Sequence, residues 1–186
     1  MAREDKERWD EKHQQNTMPH EPIVFITKYA HLAKGTNALD VACGNGRHSK
    51  YLTSLGFEVD ALDISSVAIN QLQNIPHINA IEVDFDTYTL TPSKYDIIVC
   101  TYFLERKLFP QMLAALKPNG IILMETFVQH SDNGRKPSHP TFRLKEGELE
   151  AYFSKSCELL HMEEWWDDDY QGFKTLKATM VAKKTL

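Results

Sequence analysis

The stretch LDVACGNGRHS, Leu39 to Ser49, decides how this chain folds. An apolar run from Asn37 to Ala42 reads as a buried strand. Gly44 and Gly46 follow, and Arg47 to Leu55 reads as a helix closed by Gly56. Strand, glycine turn and helix in that order open an α/β sheet, in which ligands bind outside the carboxyl ends of the strands. The glycines let the backbone turn sharply and let a ligand approach it closely. Asp40 narrows the choice of ligand. A dinucleotide loop has the pattern Gly-x-Gly-x-x-Gly, but Ser49 stands at the third glycine position and Asp40 would repel phosphate. An acid beside the glycines points to a ligand that carries positive charge.

Outward from that stretch, strands and helices alternate. Ile23 to Ala33 repeats apolar residues at helical spacing and stops at Gly35. Phe57–Leu62, Asn79–Val83 and Tyr95–Thr101 read as strands, with helices at Ser66–Gln73 and Glu105–Leu116. Pro118-Asn119-Gly120 turns the chain into a fifth strand, Ile121–Phe127. This rhythm predicts a doubly wound, mostly parallel sheet with helices on both faces, and the strands are apolar throughout because both faces are covered. Val128 to Thr141 reads as a long loop and Glu146–Phe153 as a short helix. Cys157–Trp166 and Phe173–Ala182, joined around DDDYQG, read as an antiparallel hairpin that brings the sheet to seven strands. The charged first dozen residues read as a solvated, partly frayed helix, an arm over residues 1–20. Its Trp9 is expected to pack on the domain or on a ligand.

Composition bounds the function. The chain has 186 residues, 42% of them hydrophobic, which suits one domain with a substantial core. With 21 Lys and Arg against 26 Asp and Glu, the net charge is -5 and no basic run beyond Lys183-Lys184 is available to bind a nucleic acid backbone. Apolar runs are too short to span a bilayer, and no signal peptide is read at the start. Cys43, Cys100 and Cys157 form no Cys-x-x-Cys pair, which points to a reducing cytoplasm and away from a zinc ribbon; no metal site is expected.

Two further acids follow the pattern set by Asp40. Asp63, in EVDALDIS, ends the second strand, where a carboxylate can accept from both hydroxyls of a ribose. Asp84, in VDFD, ends the third and could accept from an adenine amino group, with Ile64 and Phe85 beside the base. Each acid alone could equally cap a turn or a helix. Together with the glycine loop, they indicate S-adenosylmethionine, a nucleoside with an ammonium and a sulfonium, whose carboxylate could use the N–H groups at the helix start.

LDVACGNGRHS, VDALDIS, VDFD and YDIIVCTYFL…LKPNGIILMETF resemble the Rossmann-like class I S-adenosylmethionine-dependent methyltransferases, and most of all the small bacterial tellurite-resistance branch. The resemblance spans about Ala38 to Phe127. It implies that Asp40, Ala42, Gly44 and Gly46 surround the methionine part, that Asp63 and Ile64 hold ribose and adenine, and that Asp84 and Phe85 hold adenine. It places Thr101 near the methyl group. That family's loop often has glycine where this chain has Ala42. Cys43 is expected to be a small spacer.

Methyl transfer is an in-line displacement, for which the protein supplies alignment and a dry site. The residues after the fourth strand are not the Asn/Asp-Pro-Pro-Tyr of amino-group methylases. With the acidic charge, this points to a small-molecule acceptor, an oxyanion such as tellurite or a thiol. A monomer or homodimer without nucleic acid or membrane partners is expected. Tyr102 and Arg106 after the fourth strand, and His130 after the fifth, are candidates to act on the acceptor; Phe103, His139, Arg143, Trp9 and His20 are further candidates around it. Each His could also be a solvated loop residue, and Arg106 could pair with Glu105 or Asp10. The runner-up reading is a sensor or partner subunit that binds the cofactor without catalysis. A nicotinamide reductase is disfavoured by Asp40 and Ser49.

Overall fold

The computed structural model describes residues 2–134, 140–169 and 171–185. One seven-stranded sheet organises them. Its strands are β1 (Asn37–Val41), β2 (Glu58–Asp63), β3 (Ile78–Glu82), β4 (Tyr95–Thr101), β5 (Leu116–Phe127), β6 (Cys157–Asp168) and β7 (Lys174–Lys184), in the spatial order β3-β2-β1-β4-β5-β7-β6. The pairings β3-β2, β2-β1, β1-β4 and β4-β5 are parallel, whereas β7 runs antiparallel to both β5 and β6. The strand order reverses at β1, which puts the Gly44–Gly46 loop at the switch point where α/β sheets bind ligands.

Helices cover both faces. On one face α2 (Val24–Tyr29), the 3₁₀ turn Ala30–Leu32 and α3 (Arg47–Ser54) bury Ile26, Ala30 and Leu52 against Ala38, Ile97, Val99 and Leu123. α4 (Ser66–Leu72) packs Ile69 and Leu72 on Ala61 of the same face. On the other, α5 (Leu108–Ala115) and α6 (Glu148–Phe153) bury Phe109, Met112 and Phe153 against Ile98, Cys100, Ile122 and Met124. Each such side chain contributes roughly 1.5–3 kcal/mol on leaving water. Two expectations shift locally. The turn at Pro118–Gly120 lies inside β5, where the register with β4 slips between Tyr95 and Ile97 and Asn119 takes a positive φ of 64°. The helix expected from Glu105 begins at Leu108, after a short turn.

The charged N-terminal residues form α1 (Ala2–Gln15), and its polar face is docked. Asp10 accepts from Ser65 Oγ (2.6 Å) and Val67 N (3.2 Å) at the start of α4. Lys6 donates to Ile64 O (3.3 Å) and to Glu82 (2.5 Å). His13 is buried. Lys6, Asp10 and His13 stand at i, i+4 and i+7, so they share one helical face, and that face carries the contacts. The expectation of a solvated helix is corrected to this extent. Trp9 lies under Lys12 Nζ, 4.3 Å from its ring centre, and 6.2 Å from the His13 ring.

Candidate active site

The loop after β1 is built on left-handed backbone. Ala42, Gly44 and Gly46 have φ of 54°, 55° and 71°. A Cβ on Gly46 would meet Leu72 Cδ2 at 2.4 Å, so this glycine lets α3 and α4 close together. A Cβ on Gly44 would stand 3.3 Å from His13 Cε1, so α1 lies against the loop. Ala42 holds the same backbone region with a side chain, at a cost of roughly 1–2 kcal/mol.

Asp40 is placed differently from the expectation. Its carboxylate is 1% exposed, beneath the loop, and accepts from Ser49 Oγ at 2.6 Å. It ties β1 to α3 and has no open face toward a ligand. Burial is the main cause that pushes its carboxyl up to about 7, against the hydrogen bonds from Ser49. Cys43, Cys100 and Cys157 are buried free thiols, and burial pushes all three up, which makes them poor nucleophiles.

Asp63 faces the loop from β2. Its Oδ2 accepts from Gly44 N (2.8 Å) and its Oδ1 from Ser65 N (2.9 Å). Burial raises its pKa above the ordinary value, against these bonds and His13. Of its roughly four lone-pair directions, two take these bonds and a third faces the Ile64 N–H, which leaves one for a further donor. The His13 ring lies close by, and its pKa is lowered chiefly by burial, while Asp63 and Asp10 pull the other way. Ile64 is half-buried next to Asp63. Asp84, expected to end the third strand, lies two residues beyond the end of β3 and accepts from Asp86 N (2.9 Å), which closes a turn; Phe85 packs on Phe103 with ring centres 5.3 Å apart. Thr101 closes β4, with His48 Nδ1 3.4 Å from its Oγ1. His48 Nε2 accepts from Ile23 N (3.4 Å), so the proton is on Nδ1 and points to Thr101. Burial, with Arg47 adding to it, pushes His48 down to about 3 and keeps it neutral.

Beyond Thr101 lies a second polar cluster. The register puts Asp40, Thr101, Glu125, Lys177 and Trp165 on one face of the sheet, across β1, β4, β5, β7 and β6. Tyr102 has a positive φ of 55°; its N–H donates to Glu125 O at 2.8 Å and its hydroxyl to Glu125 Oε1. Arg47 and Lys177 stand on the Tyr102 ring, each 5.8 Å from its centre. Lys177 also pairs with Asp167 (2.7 Å). Burial raises the Glu125 carboxyl, and burial with the nearby Glu125 raises the Tyr102 hydroxyl.

The other acceptor candidates lie elsewhere. Arg106 donates to Glu148 Oε1 (2.5 Å) and Oε2 (2.8 Å), Thr141 O (2.8 Å) and Arg143 O (3.0 Å). The cation expected at an acceptor, or paired with Glu105 or Asp10, instead fastens the segment after β5. His130 accepts from Asp132 N (3.1 Å) and stacks edge-on against Trp166, on the opposite side of β6 from Trp165. His20 is exposed, and Arg143 is buried. His139 lies outside the described residues. Among the described residues no cluster of His, Cys, Asp and Glu could hold a metal ion, and no helix is long and apolar enough to cross a membrane.

Residues 2–175 match the family model described as tellurite resistance protein TehB. The chain belongs to the TehB family. Within it, the Haemophilus influenzae relative named as a probable S-adenosyl-L-methionine-dependent methyltransferase TehB is 27% identical over 96% of this chain and 67% of its own length. The crystal structure of Haemophilus influenzae TehB superposes with a TM-score of 0.71 at 27% identity, over 86% of this chain and 61% of that one. A ubiquinone biosynthesis O-methyltransferase of Burkholderia multivorans is 30% identical over 115 residues, 56% of this chain and 49% of the relative. The chain therefore spans about half the length of those O-methyltransferases.

Against the TehB background, the residues that sequence reasoning missed are Arg47, Glu125, Lys177 and His13. Two had a signal. Glu125 is a charged residue in the mostly apolar run Ile121–Phe127, and Lys177 is the one charge in Leu176–Ala182, a stretch otherwise apolar but for Thr179. A charge in a strand covered on both faces requires a reason. His13 had only its helical spacing from Lys6 and Asp10.

Proposed function

We propose that this chain transfers the methyl group of S-adenosylmethionine to a small acceptor, an oxyanion such as tellurite or a thiol. One observation carries the reading: the Asp63 carboxylate, at the tip of β2, holds the Gly44 N–H of the glycine loop at the sheet's switch point and keeps a lone pair for a ribose hydroxyl. The donor set fits the cofactor. Asp63 would take a ribose hydroxyl, Ile64 and Phe85 the adenine, Asp84 its amino group, and Ala42, Gly44 and Gly46 would approach the methionine part with backbone. Asp40 acts behind this surface by fixing the loop through Ser49. Thr101, held by neutral His48, stands at the methyl end. The bound cofactor supplies an activated methyl carbon; the chain's own residues bind, orient and exclude water. α1, with His13 against Gly44, forms an arm over the loop. The family's name and that of its Haemophilus relative support this reading.

Calorimetry tests it. S-adenosylmethionine should bind, and Asp63→Ala should weaken the affinity about tenfold or more, since charge-assisted hydrogen bonds contribute roughly 1.5–3 kcal/mol each. An unchanged affinity in a folded Asp63→Ala protein rejects the assigned site. Formation of S-adenosylhomocysteine with tellurite or thiols separates an enzyme from a sensor, which would bind the cofactor and turn nothing over.

A further inference from the structure

Glu125 is 4% exposed and follows Ile121–Met124, four core side chains, in the buried half of β5. Burying a carboxylate there is unfavourable, and an apolar residue of similar size would serve folding at least as well. Its side-chain hydrogen bond comes from Tyr102, whose backbone is held in the left-handed region and whose own N–H is bonded to the Glu125 carbonyl. Both contacts aim the Tyr102 phenol at Glu125. A strained aromatic residue doubly anchored to a buried acid marks a functional constraint. The pair adjoins Thr101, since Thr101 and Glu125 are register partners in β4 and β5. Charged groups face it from three directions: Arg47 from α3, Lys177 from β7 and Asp167 from β6.

We propose that Tyr102 and Glu125 are a proton relay for an acceptor that arrives as a neutral thiol or hydroxyl, Tyr102 Oη touching the acceptor and Glu125 receiving the proton behind it. The assignment rests on the methyl-transfer reading and selects its acceptor class. The acceptor's lone pair forms a bond to the methyl carbon, and the carbon–sulfur bond breaks with its electron pair going to sulfur. The acceptor's proton passes to Tyr102 Oη as the Tyr102 proton passes to the Glu125 carboxylate, which later releases it to water. Tyr102, half-buried, is the accessible end of the relay, and Glu125 is its buried sink. An acceptor already ionised in solution needs no such relay.

The test compares three probes with the full chain, by formation of S-adenosylhomocysteine. Mercaptoethanol and catechol are largely neutral at neutral pH, whereas pentafluorothiophenol is already a thiolate. Glu125→Gln should lower kcat by about 10²–10⁴ with a neutral probe and by less than about tenfold with the thiolate. Its rate with the neutral probe should also lose the rise with pH that accompanies ionisation of a base. Tyr102→Phe, which keeps the ring, should show the same selectivity and decides the matter if Glu125→Gln does not fold. Cofactor affinity should be unchanged in both. An equal loss with all probes indicates a purely structural pair and overturns the relay, as does no loss. Cofactor binding without turnover of any probe by the unmodified chain overturns the acceptor class and leaves the cofactor site standing. Failure to bind the cofactor overturns the reading beneath it.

Discussion

Asp40→Asn should stabilise the protein at alkaline pH and lose that advantage in acid. Asp40 is completely buried, and its carboxyl is raised from 3.8 to about 7 by that burial. Between those values the folded chain keeps a proton that the unfolded chain has released. The folded state therefore binds more protons, and stability falls as pH rises through the window. At about 1.4 kcal/mol per pH unit over about three units, the ceiling is roughly 4 kcal/mol. Asparagine keeps an acceptor for Ser49 Oγ, now 2.6 Å from Asp40, but turns an amide N–H₂ toward the Ser49 N–H that the carboxylate also accepts. That loss is about 1–2 kcal/mol. The net gain near pH 8 is about 2–3 kcal/mol, or a Tm higher by roughly 4–12 °C in a chain of this size. Near pH 4, where the original carboxyl is also neutral, the variant should be equal or slightly less stable. Calorimetric melting of both proteins from about pH 4 to 8 yields a difference curve in which titrations common to both cancel. A difference independent of pH would refute the buried, proton-holding Asp40.

Two further expectations concern the frame around the site. Gly46→Ala should cost about 2–4 kcal/mol in urea unfolding, because the new Cβ meets Leu72 and the backbone is left-handed; Gly44→Ala, which meets only the His13 ring at 3.3 Å, should cost less. Arg106→Ala should speed amide hydrogen exchange at residues 141–148 and cost about 1 kcal/mol, its partly exposed pair with Glu148 being discounted for solvent, while cofactor affinity stays the same. Weakened cofactor binding with unchanged exchange would place Arg106 at the ligand after all.

The parallel core was legible because its signals are local. Apolar runs in Asn37–Val41 and Tyr95–Thr101, glycines between strand and helix, and acids at or just beyond the ends of β2 and β3 all lie within short windows. The bulge at Pro118–Gly120 was less legible, since the same residues suit a turn or an irregular strand start. The docked face of α1 was misread because Lys6, Asp10 and His13 resemble any solvated charge pattern until α4 is placed against them. The Glu148 partner of Arg106 was not legible for the same reason. A cation after β4 suits an acceptor or a distant carboxylate equally, and Glu148 is far along the chain.

By itself, the amino-acid sequence determined the strand–helix alternation, the glycine loop after β1 and the carboxylates Asp63 and Asp84 at or just beyond the ends of β2 and β3, since each depends on residues close in the chain. Only the tertiary structure decided that Asp40 lies under the loop, that His13 lies over it, and that Arg47, Tyr102, Glu125 and Lys177 meet beside Thr101. Those meetings arise from the lateral register of β1, β4, β5 and β7 and from helices crossing that sheet. Periodicity along a chain carries which face a side chain takes, but not which distant strand will stand next to it.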